Sequence, residues 1–279
     1  MAASFVSRFA ETRSARGPLV WGLDPSGRIL REWGLGDTPD GLDRFADIAV
    51  AAAAETVGLI KPHSAFYERH GWRGIRTLTR LVADARDAGL LVILDAKRGD
   101  IGSSNDAYAE AYFGKDAPVE VDALTVHPYL GLGSMDTLIG RAHQAGGCVF
   151  VVTRSSNPEG RPIQTAVAPS GRTVEEALLA EIGRRNADLA GDGPGPVGAV
   201  IAPTHASPYL DLPAARALFL APGLGAQGAT AEDVARVFLD CPDRVVPTAS
   251  RSLLASGPDP GRLRDTAAAL AAEIHRVLR

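Results

Sequence analysis

Residues 91–101 read LVILDAKRGDI, an apolar run that ends in a dense group of charged side chains. An unbroken run of Val, Ile and Leu of this length is typical of a strand buried on both faces of a parallel sheet. Because side chains alternate along a strand, Asp95 and Lys97 share one face with Leu91 and Ile93. The stretch therefore predicts a parallel strand whose carboxyl end carries paired charges.

The same kind of run recurs along nearly the whole chain, with segments of helical periodicity in between. The eight runs cover residues 19–24, 56–62, 90–97, 121–128, 147–155, 197–204, 218–225 and 245–251. Eight strand–helix units without a linker between halves predict the α/β class and a single (β/α)8 TIM barrel domain over residues 1–279. A doubly wound parallel sheet is the second possibility, but eight units at this spacing fit the barrel better.

Amphipathic helices and two long connections complete the predicted barrel. Helical periodicity covers residues 72–89, 173–191, 229–240 and 263–279, and Thr173 with Glu176 forms a possible capping box. The long connections are residues 25–40 and 156–172, and each follows the carboxyl end of a predicted strand, where barrel enzymes hold their active sites. We therefore expect two loop insertions, which either cover the mouth of the barrel or are plain surface insertions.

Composition limits the classes of protein to which the chain can belong. It is 46% hydrophobic and 22% charged with a net charge of −4, which fits a folded globular protein rather than a disordered one. No run approaches the roughly 20 apolar residues needed to span a bilayer, and Arg8 interrupts any apolar leader. Cys148 and Cys241 are too few for a disulfide framework and fit a reducing compartment. We therefore expect a cytoplasmic protein without a membrane partner, and the lack of a basic block argues against nucleic acid.

Lysine is scarce, since Lys61, Lys97 and Lys115 are the three lysines among 29 basic residues. Arg keeps its proton near neutral pH, whereas Lys can release it, so the surviving lysines are candidates for chemistry. Lys61 and Lys97 lie at the ends of two predicted strands, while Lys115 falls in a helix-to-loop segment and is expected on the surface. The alternative is that three lysines escaped a compositional bias towards Arg.

Closely spaced charges form the first candidate site. Asp95 and Lys97 project side by side from the third predicted strand, Asp100 follows on the loop, and Lys61 ends the second strand. Such neighbouring acids and amines shift one another's pKa values, which suits proton transfer. The alternative is an ion-pair network with a structural role.

A glycine-rich segment and an arginine form the second candidate site. The sequence PGLGAQG at residues 222–228 ends the seventh strand and precedes a helix, so backbone N–H groups and the helix N-terminus can bind a phosphate. Arg251 ends the eighth strand, and barrels often bind phosphate with the loops after strands 7 and 8. The two features together predict a phosphate site, whereas a glycine-rich turn by itself indicates no more than local geometry. The sequence has no HExxH or CxxC pattern, so we expect no metal site.

These motifs are similar to those of the orotidine 5'-monophosphate decarboxylase family, particularly its longer bacterial form. The motifs are GLDPS (22–26), LIKPHSAFYE (59–68), LDAKRGDIGSS (94–104), TVHPYLG (125–131), SSNPEG (155–160), APGLGAQG (221–228) and ASRS (249–252). The Asp-x-Lys-x-x-Asp-Ile core is the specific part of this resemblance. It implies a cofactor-independent carboxy-lyase that converts orotidine 5'-monophosphate to uridine 5'-monophosphate in de novo pyrimidine biosynthesis.

The resemblance also implies roles for individual residues. Lys61, Asp95, Lys97 and Asp100 match the catalytic Lys–Asp–Lys–Asp array of the family. In that array Lys97 protonates the pyrimidine carbon, Asp95 lies against the departing carboxylate, and Lys61 holds ribose hydroxyls together with Asp24. Ser156, or its neighbour Ser155, contacts the pyrimidine. The residues implied in substrate binding are Asp24, Ile101, Ser104, Ser156, Gly225, Gln227, Gly228 and Arg251.

A homodimer with shared active sites is a further implication of the resemblance. In the family, the Asp that matches Asp100 reaches into the neighbouring subunit's site, together with the following Ile and a hydroxyl residue. Asp100, Ile101 and Ser104 are the corresponding residues in this sequence. Ser104 is a departure, because the family usually has Thr there; the hydroxyl is kept and a methyl is lost, so we expect a modest effect.

Three other functions fit parts of the pattern. A magnesium-dependent sugar-phosphate decarboxylase or aldolase shares the Asp-x-Lys-x-x-Asp core, and loss of activity on chelation would favour it. A non-catalytic phosphate-binding barrel has no need for the Lys–Asp array. A Schiff-base aldolase would use Lys97 or Lys61 as nucleophile, but the adjacent Asp95 favours a charged amine, which is not nucleophilic.

Overall fold

The computed structural model describes residues 3–278 and contains eight parallel strands that close into a barrel. The strands are β1 (Val20–Leu23), β2 (Leu59–Pro62), β3 (Leu91–Arg98), β4 (Ala123–Val126), β5 (Cys148–Arg154), β6 (Val197–Ile201), β7 (Phe219–Ala221) and β8 (Val245–Ala249). Each strand pairs with the next in sequence, and β8 pairs with β1. Each predicted run supplies one strand, and the predicted (β/α)8 TIM barrel is confirmed.

Helices lie around the barrel and across one end of it. They are α1 (Phe5–Arg16), α2 (Gly27–Glu32), α3 (Pro39–Thr56), α4 (Ala65–Glu68), α5 (Gly71–Asp87), α6 (Ser103–Tyr112), α7 (Asp136–Gln144), α8 (Arg161–Gln164), α9 (Val174–Ala190), α10 (Ala231–Val237), α11 (Arg251–Leu254) and α12 (Pro260–Val277). The four predicted helices are α5, α9, α10 and α12, with ends shifted by a few residues. A bilayer-spanning helix is absent from residues 3–278, because none combines sufficient length with sufficient hydropathy.

The start of α9 has the predicted capping box. The Thr173 hydroxyl accepts a hydrogen bond from the Glu176 backbone N–H at 3.3 Å, and the Glu176 carboxylate accepts one from the Thr173 N–H at 2.8 Å. Two of the otherwise unpaired N–H groups at this helix end are satisfied in this way. The capping box fixes where the long loop after β5 ends.

Strand β3 has the alternation that its sequence predicts. Leu91 and Ile93 belong to the core inside the barrel, whereas Val92 and Leu94 pack with the helix-facing core outside it. This alternation continues towards the carboxyl end of the strand, where polar side chains replace apolar ones. The inward face of β3 therefore leads directly from the core to the mouth of the barrel.

Helix α1 closes the amino-terminal end of the barrel. Phe5 and Phe9 are buried in the interior core, and the Phe5 ring meets the Phe150 ring edge to face, with 6.0 Å between centroids. Cys148 is buried in the same core, as predicted, and burial raises the pKa of its thiol to about 12. Because α1 plugs this end, a ligand can enter from the opposite end, where the strands have their carboxyl termini.

The connection between β6 and β7 departs from the predicted strand–helix repeat. It contains one short 3₁₀ turn, Pro213–Ala215, and no α-helix is assigned within these described residues. The prolines Pro203, Pro208 and Pro213 explain the difference, because proline lacks an N–H group and disrupts the preceding helical turn. The sheet still closes, because β6 and β7 pair directly with each other.

The two predicted insertions differ in structure. Residues 25–40 include α2 and the start of α3, and Trp33 is buried there with its indole N–H donating to the Leu254 carbonyl at 2.8 Å. This insertion is therefore a packed segment. Residues 156–172 are more exposed, with a 3₁₀ turn and the short helix α8 in the loop. This second insertion, which we call the β5–α9 loop, borders the open end of the barrel.

Candidate active site

A cavity of about 200 Å³ lies at the carboxyl ends of the strands. Its lining includes seven residues predicted from the sequence: Asp24, Lys61, Asp95, Lys97, Ser156, Gln227 and Arg251. The other predicted residues lie outside this lining: Asp100, Ile101, Ser104, Gly225 and Gly228. The fold thus brings the charged residues of β2 and β3 and the residues after β7 and β8 around one cavity.

Asp95 is the centre of a buried hydrogen-bonded network. Its Oδ2 accepts from Lys61 Nζ at 2.8 Å, and its Oδ1 accepts from Lys97 Nζ at 2.5 Å. The Thr125 hydroxyl also donates to Oδ1, at 2.9 Å. Three donors from three different strands therefore fix the position of this carboxylate.

Asp95 and Lys61 both stay charged in this network. Burial would raise the pKa of Asp95, but the ammonium groups of Lys61 and Lys97 outweigh burial and hold this pKa well below its ordinary value. Burial would also lower the pKa of Lys61, but the Asp95 and Asp24 carboxylates outweigh it, so this pKa lies above its ordinary value. The cavity therefore presents a fixed negative charge beside fixed positive charge.

The backbone at Lys97 has an unusual conformation. Its φ is +46°, in the left-handed region that non-glycine residues rarely adopt. The pairing of β3 with β4 shifts register between Leu94 and Arg98, and Lys97 lies within this irregular part. Such a conformation costs on the order of 1–3 kcal/mol and persists where the surroundings fix it. The irregularity directs the Lys97 side chain into the cavity lining.

At the β1 side of the cavity, Asp24 offers an oxygen without a partner. Its Oδ1 is buried and accepts no hydrogen bond within residues 3–278. A buried carboxylate oxygen without a donor is costly, so it indicates a position that a ligand donor can fill. A ligand hydroxyl is a donor of the required kind.

The glycine-rich turn after β7 differs from what its sequence predicts. The N–H groups of residues 225–229 donate to carbonyl oxygens within the turn itself. At the start of α10, the Asp233 carboxylate accepts from the Thr230 N–H at 3.1 Å, so the helix end already has an anionic partner. The N–H groups predicted to bind a phosphate are therefore engaged within the protein here, and their use for a phosphate stays a prediction. Gly225 and Gly228, with φ of +72° and +87°, shape the turn instead.

The side chains of Gln227 and Arg251 are the groups that this end of the cavity offers to an anion. Both line the cavity, and within residues 3–278 neither side chain has a hydrogen-bond or ion-pair partner. A guanidinium group can bind two oxygens of a phosphate at once. The cavity therefore has a cationic end after β7 and β8, in addition to the lysines of the Asp95 network.

The two serines after β5 have different environments. The Ser155 hydroxyl donates to Asn157 Oδ1 at 2.7 Å and accepts from Gln164 Nε2 at 2.8 Å, so it holds the β5–α9 loop together. Both serines line the cavity, but the Ser156 hydroxyl has no hydrogen-bond partner within the described chain. Ser156 is therefore the serine that is available to a ligand.

Asp100 lies on a loop that does not line the cavity of its own chain. Its Oδ1 accepts from the Ile101 N–H at 2.8 Å, and its own N–H donates to Asn105 Oδ1 at 3.1 Å. Asn105 is buried in α6 and also donates to the Ser134 carbonyl at 2.7 Å, so the loop is tied to the chain beside it. Ile101 is 61% exposed despite its apolar side chain.

Four polar residues of the cavity lining were not assigned a role by the sequence analysis. Thr125 lies in β4, His63 lies two residues after Lys61, Thr248 lies in β8, and Ser250 precedes Arg251. Burial lowers the pKa of His63, and Lys97 and Lys61 add to this effect while Asp95 opposes it. The period-2 alternation of β4 is the signal that could have found Thr125. Between residues 3 and 278, no three His, Cys, Asp or Glu side chains are grouped so that they could hold a metal ion.

The barrel has a buried ionic network around Asp95 and a cationic group at Arg251, both where the strands end. These features place the protein in the class of (β/α)8 barrel enzymes that act at the carboxyl face of the barrel. Residues 17–263 match the model of the Orotidine 5'-phosphate decarboxylase / HUMPS family. The chain belongs to this family, and it is a carboxy-lyase.

Full-length relatives and a solved structure agree with this membership. An orotidine 5'-phosphate decarboxylase of Streptomyces coelicolor is 47% identical over 273 residues, which cover 97% of this chain and 96% of the relative. One of Salinispora arenicola is 45% identical over 276 residues, which cover 99% and 98%. The crystal structure of a Streptomyces avermitilis protein described as an orotidine 5'-phosphate decarboxylase has a TM-score of 0.93 at 44% identity, and covers 99% of this chain and 96% of that one.

Proposed function

We propose that the protein decarboxylates orotidine 5'-monophosphate to uridine 5'-monophosphate in de novo pyrimidine biosynthesis, with Lys97 as the proton donor. The observation that carries this proposal is the Asp95 network, in which Lys97 Nζ lies 2.5 Å from the carboxylate inside the cavity. Membership of the family supports the substrate, because its full-length relatives bear the name of this activity.

The chemistry needs an electron pair to be stabilised and then protonated. When the bond to the substrate carboxylate breaks, carbon dioxide leaves and the electron pair remains on the pyrimidine carbon. The Lys97 ammonium stabilises this carbanion by its charge and then transfers one proton to the carbon, which leaves a neutral amine. Asp95 is held as an anion beside the departing carboxylate. It repels the bound substrate more strongly than it repels the transition state, which lowers the barrier between them. These steps require no metal or organic cofactor.

The remaining cavity residues bind the parts of the substrate that do not react. Asp24 and Lys61 hold ribose hydroxyls, and the unpartnered Asp24 Oδ1 supports this role. Gln227 and Arg251 bind the phosphate, with Gly225 and Gly228 shaping the turn that presents Gln227. Ser156 contacts the pyrimidine. Phosphate binding away from the reacting carbon supplies binding energy that closes the β5–α9 loop and excludes water.

Asp100, Ile101 and Ser104 act in the site of a second subunit, in a homodimer with shared active sites. Asp100 lies outside the cavity lining of its own chain, which supports this arrangement. Apolar side chains are exposed around this loop: Ile101 is 61% exposed, and Tyr129, on the adjacent loop after β4, is 85% exposed. Exposed apolar groups near a functional loop are typical of an interface.

A cytoplasmic location is part of the proposal. Cys148 and Cys241 are free and buried, which fits a compartment that keeps thiols reduced. Neither nucleic acid nor a membrane is a proposed partner.

An absorbance assay with orotidine 5'-monophosphate tests the function. We expect turnover by the wild-type protein with and without a chelator, whereas loss of activity on chelation would favour the magnesium-dependent alternative. Lys97→Ala is expected to abolish turnover and stay folded, since this side chain is 38% exposed. Lys115→Ala is the matched control, because Lys115 lies on the surface. Near-normal turnover by Lys97→Ala would overturn the proposed role of Lys97.

A further inference from the structure

Thr125 links the side chain of Asp95 to the backbone of Lys97. Its hydroxyl donates to Asp95 Oδ1 at 2.9 Å and accepts from the Lys97 backbone N–H at 3.0 Å. We propose that Thr125 is a positioning residue for decarboxylation, which sets the Lys97 backbone and the Asp95 carboxylate in one geometry. This inference rests on the proposed role of Lys97.

The chemistry of a hydroxyl explains why threonine serves here. A hydroxyl has one proton and can also accept, and in this site the Lys97 N–H needs an acceptor while the ionised Asp95 needs a donor. Thr125 satisfies both groups at once. It is 1% exposed, so its hydroxyl has very little contact with solvent. A valine of the same shape would leave a buried N–H without an acceptor and a carboxylate oxygen with one donor fewer.

The irregular backbone of β3 makes this contact necessary. Regular pairing of β3 with β4 is interrupted between Leu94 and Arg98, so Lys97 lies outside the regular ladder of backbone bonds. Its N–H donates to the Thr125 side chain instead, while φ at Lys97 is +46°. Thr125 therefore compensates for the hydrogen bond that the register shift removes, and it stabilises the strained conformation.

The reaction itself makes Thr125 more important in the second half of the cycle. When Lys97 gives its proton to the carbanion, the amine loses its charge and its attraction to Asp95 weakens. Thr125 on Oδ1 and Lys61 on Oδ2 still hold the carboxylate. The Thr125 hydroxyl already donates one hydrogen bond and accepts another within the protein, so it has little capacity left to bind the substrate. Its loss is therefore expected to lower kcat and to leave KM nearly unchanged.

Three substitutions test this inference. Thr125→Val removes the hydroxyl at constant shape, and Thr125→Ser keeps it. Thr153→Val is the matched control, because Thr153 is fully buried in the neighbouring strand β5, outside the cavity, and donates to the Val151 carbonyl. We expect Thr125→Val to lower kcat roughly 10- to 100-fold with KM within about threefold, as the loss of a hydrogen bond to a charged group predicts. Thr125→Ser and Thr153→Val keep kcat within about threefold.

Several outcomes would overturn the inference. A kcat for Thr125→Val equal to that of Thr153→Val would do so, as would a Thr125→Ser enzyme as slow as Thr125→Val. A raised KM at unchanged kcat would assign the hydroxyl to substrate contact instead. If Thr125→Val does not fold, Thr125→Ala against Thr125→Ser gives the same comparison. Lys97→Ala is measured alongside: if it keeps turnover, the proposed function fails, whereas an inactive Lys97→Ala with a normal Thr125→Val refutes only the role of Thr125.

Discussion

Arg154 and Glu175 form a buried ion pair across the base of the β5–α9 loop, with Arg154 Nε 3.7 Å from Glu175 Oε2. Arg154 is the last residue of β5 and Glu175 lies in the first turn of α9, so the pair joins the two ends of the loop. Glu175 Oε1 also accepts from the hydroxyls of Ser207 and Tyr209, at 2.6 and 2.8 Å. The loop that borders the cavity is therefore anchored at its base by buried polar contacts.

Removal of one partner from this pair should destabilise the fold. We expect Glu175→Ala to lower the free energy of unfolding by about 3 kcal/mol, because it leaves the buried Arg154 without its carboxylate. Asp188→Ala is the control on the same helix, where an exposed i,i+4 pair with Arg184 should contribute less than about 1 kcal/mol. Urea unfolding at neutral pH measures both values. Equal losses in the two variants would contradict the prediction.

Mixed dimers test whether the active sites are shared. Lys97→Ala and Asp100→Ala should each be inactive, but a hybrid dimer has one site with an intact Lys97 from one subunit and an intact Asp100 from the other. Random exchange makes half of the dimers hybrid, so we expect recovery to about a quarter of wild-type activity. The measurement is turnover after subunit exchange, with hybrids verified by two affinity tags. No recovery in verified hybrids would exclude a shared site.

Loss of the cationic end of the cavity should weaken phosphate binding. Arg251→Ala is expected to lower kcat/KM for orotidine 5'-monophosphate by about 30- to 1,000-fold, which corresponds to the loss of one or two charge-assisted hydrogen bonds. Arg236→Ala, an exposed arginine on α10 paired with Asp233, is the control. Orotidine without its phosphate should react equally with wild type and Arg251→Ala. If Arg251→Ala slows both substrates alike, its role is not phosphate binding.

Acid should weaken the ion pairs between α3 and α5. These pairs are Asp40–Arg73, Asp43–Arg76 and Asp47–Arg80. Burial would raise the pKa of Asp43, but the Thr77 hydrogen bond and the guanidinium groups of Arg76 and Arg80 outweigh it, so this pKa is lowered. A carboxyl group whose pKa is lower in the folded protein than in the unfolded chain stabilises the fold at pH values above its unfolded-state pKa. This contribution is lost as the pH falls through the folded-state pKa.

We therefore expect Asp43→Asn to cost about 1 kcal/mol of unfolding free energy at pH 7 and less at pH below about 4, where the carboxylate is protonated first in the unfolded chain and then in the folded protein. Urea unfolding across this pH range measures the difference. Asp192→Asn, at a fully exposed position, should show no such dependence. A cost for Asp43→Asn that stays constant down to pH 3 would contradict the argument.

Much of the fold could be read from local patterns in the sequence. The apolar runs predict all eight strands, and the alternation in β3 places Leu91 and Ile93 inside the barrel. The prediction of a helix between β6 and β7 was wrong, because counting strand–helix units gave too little weight to the three prolines of this connection. The glycine-rich turn was assigned its usual anion-binding N–H groups, but in the folded turn those groups bond to carbonyl oxygens nearby.

The sequence by itself determined the barrel, the position of Asp95 and Lys97 at its mouth, and the basic residue after β8, because each depends on residues a few positions apart. The tertiary structure decided the contacts between distant segments: Thr125 on the Lys97 backbone, and Glu175 on Arg154. These contacts depend on the register of neighbouring strands and on where a long loop ends. Register is fixed when the sheet closes into a barrel and every strand must pair on both sides, and no local periodicity encodes that condition.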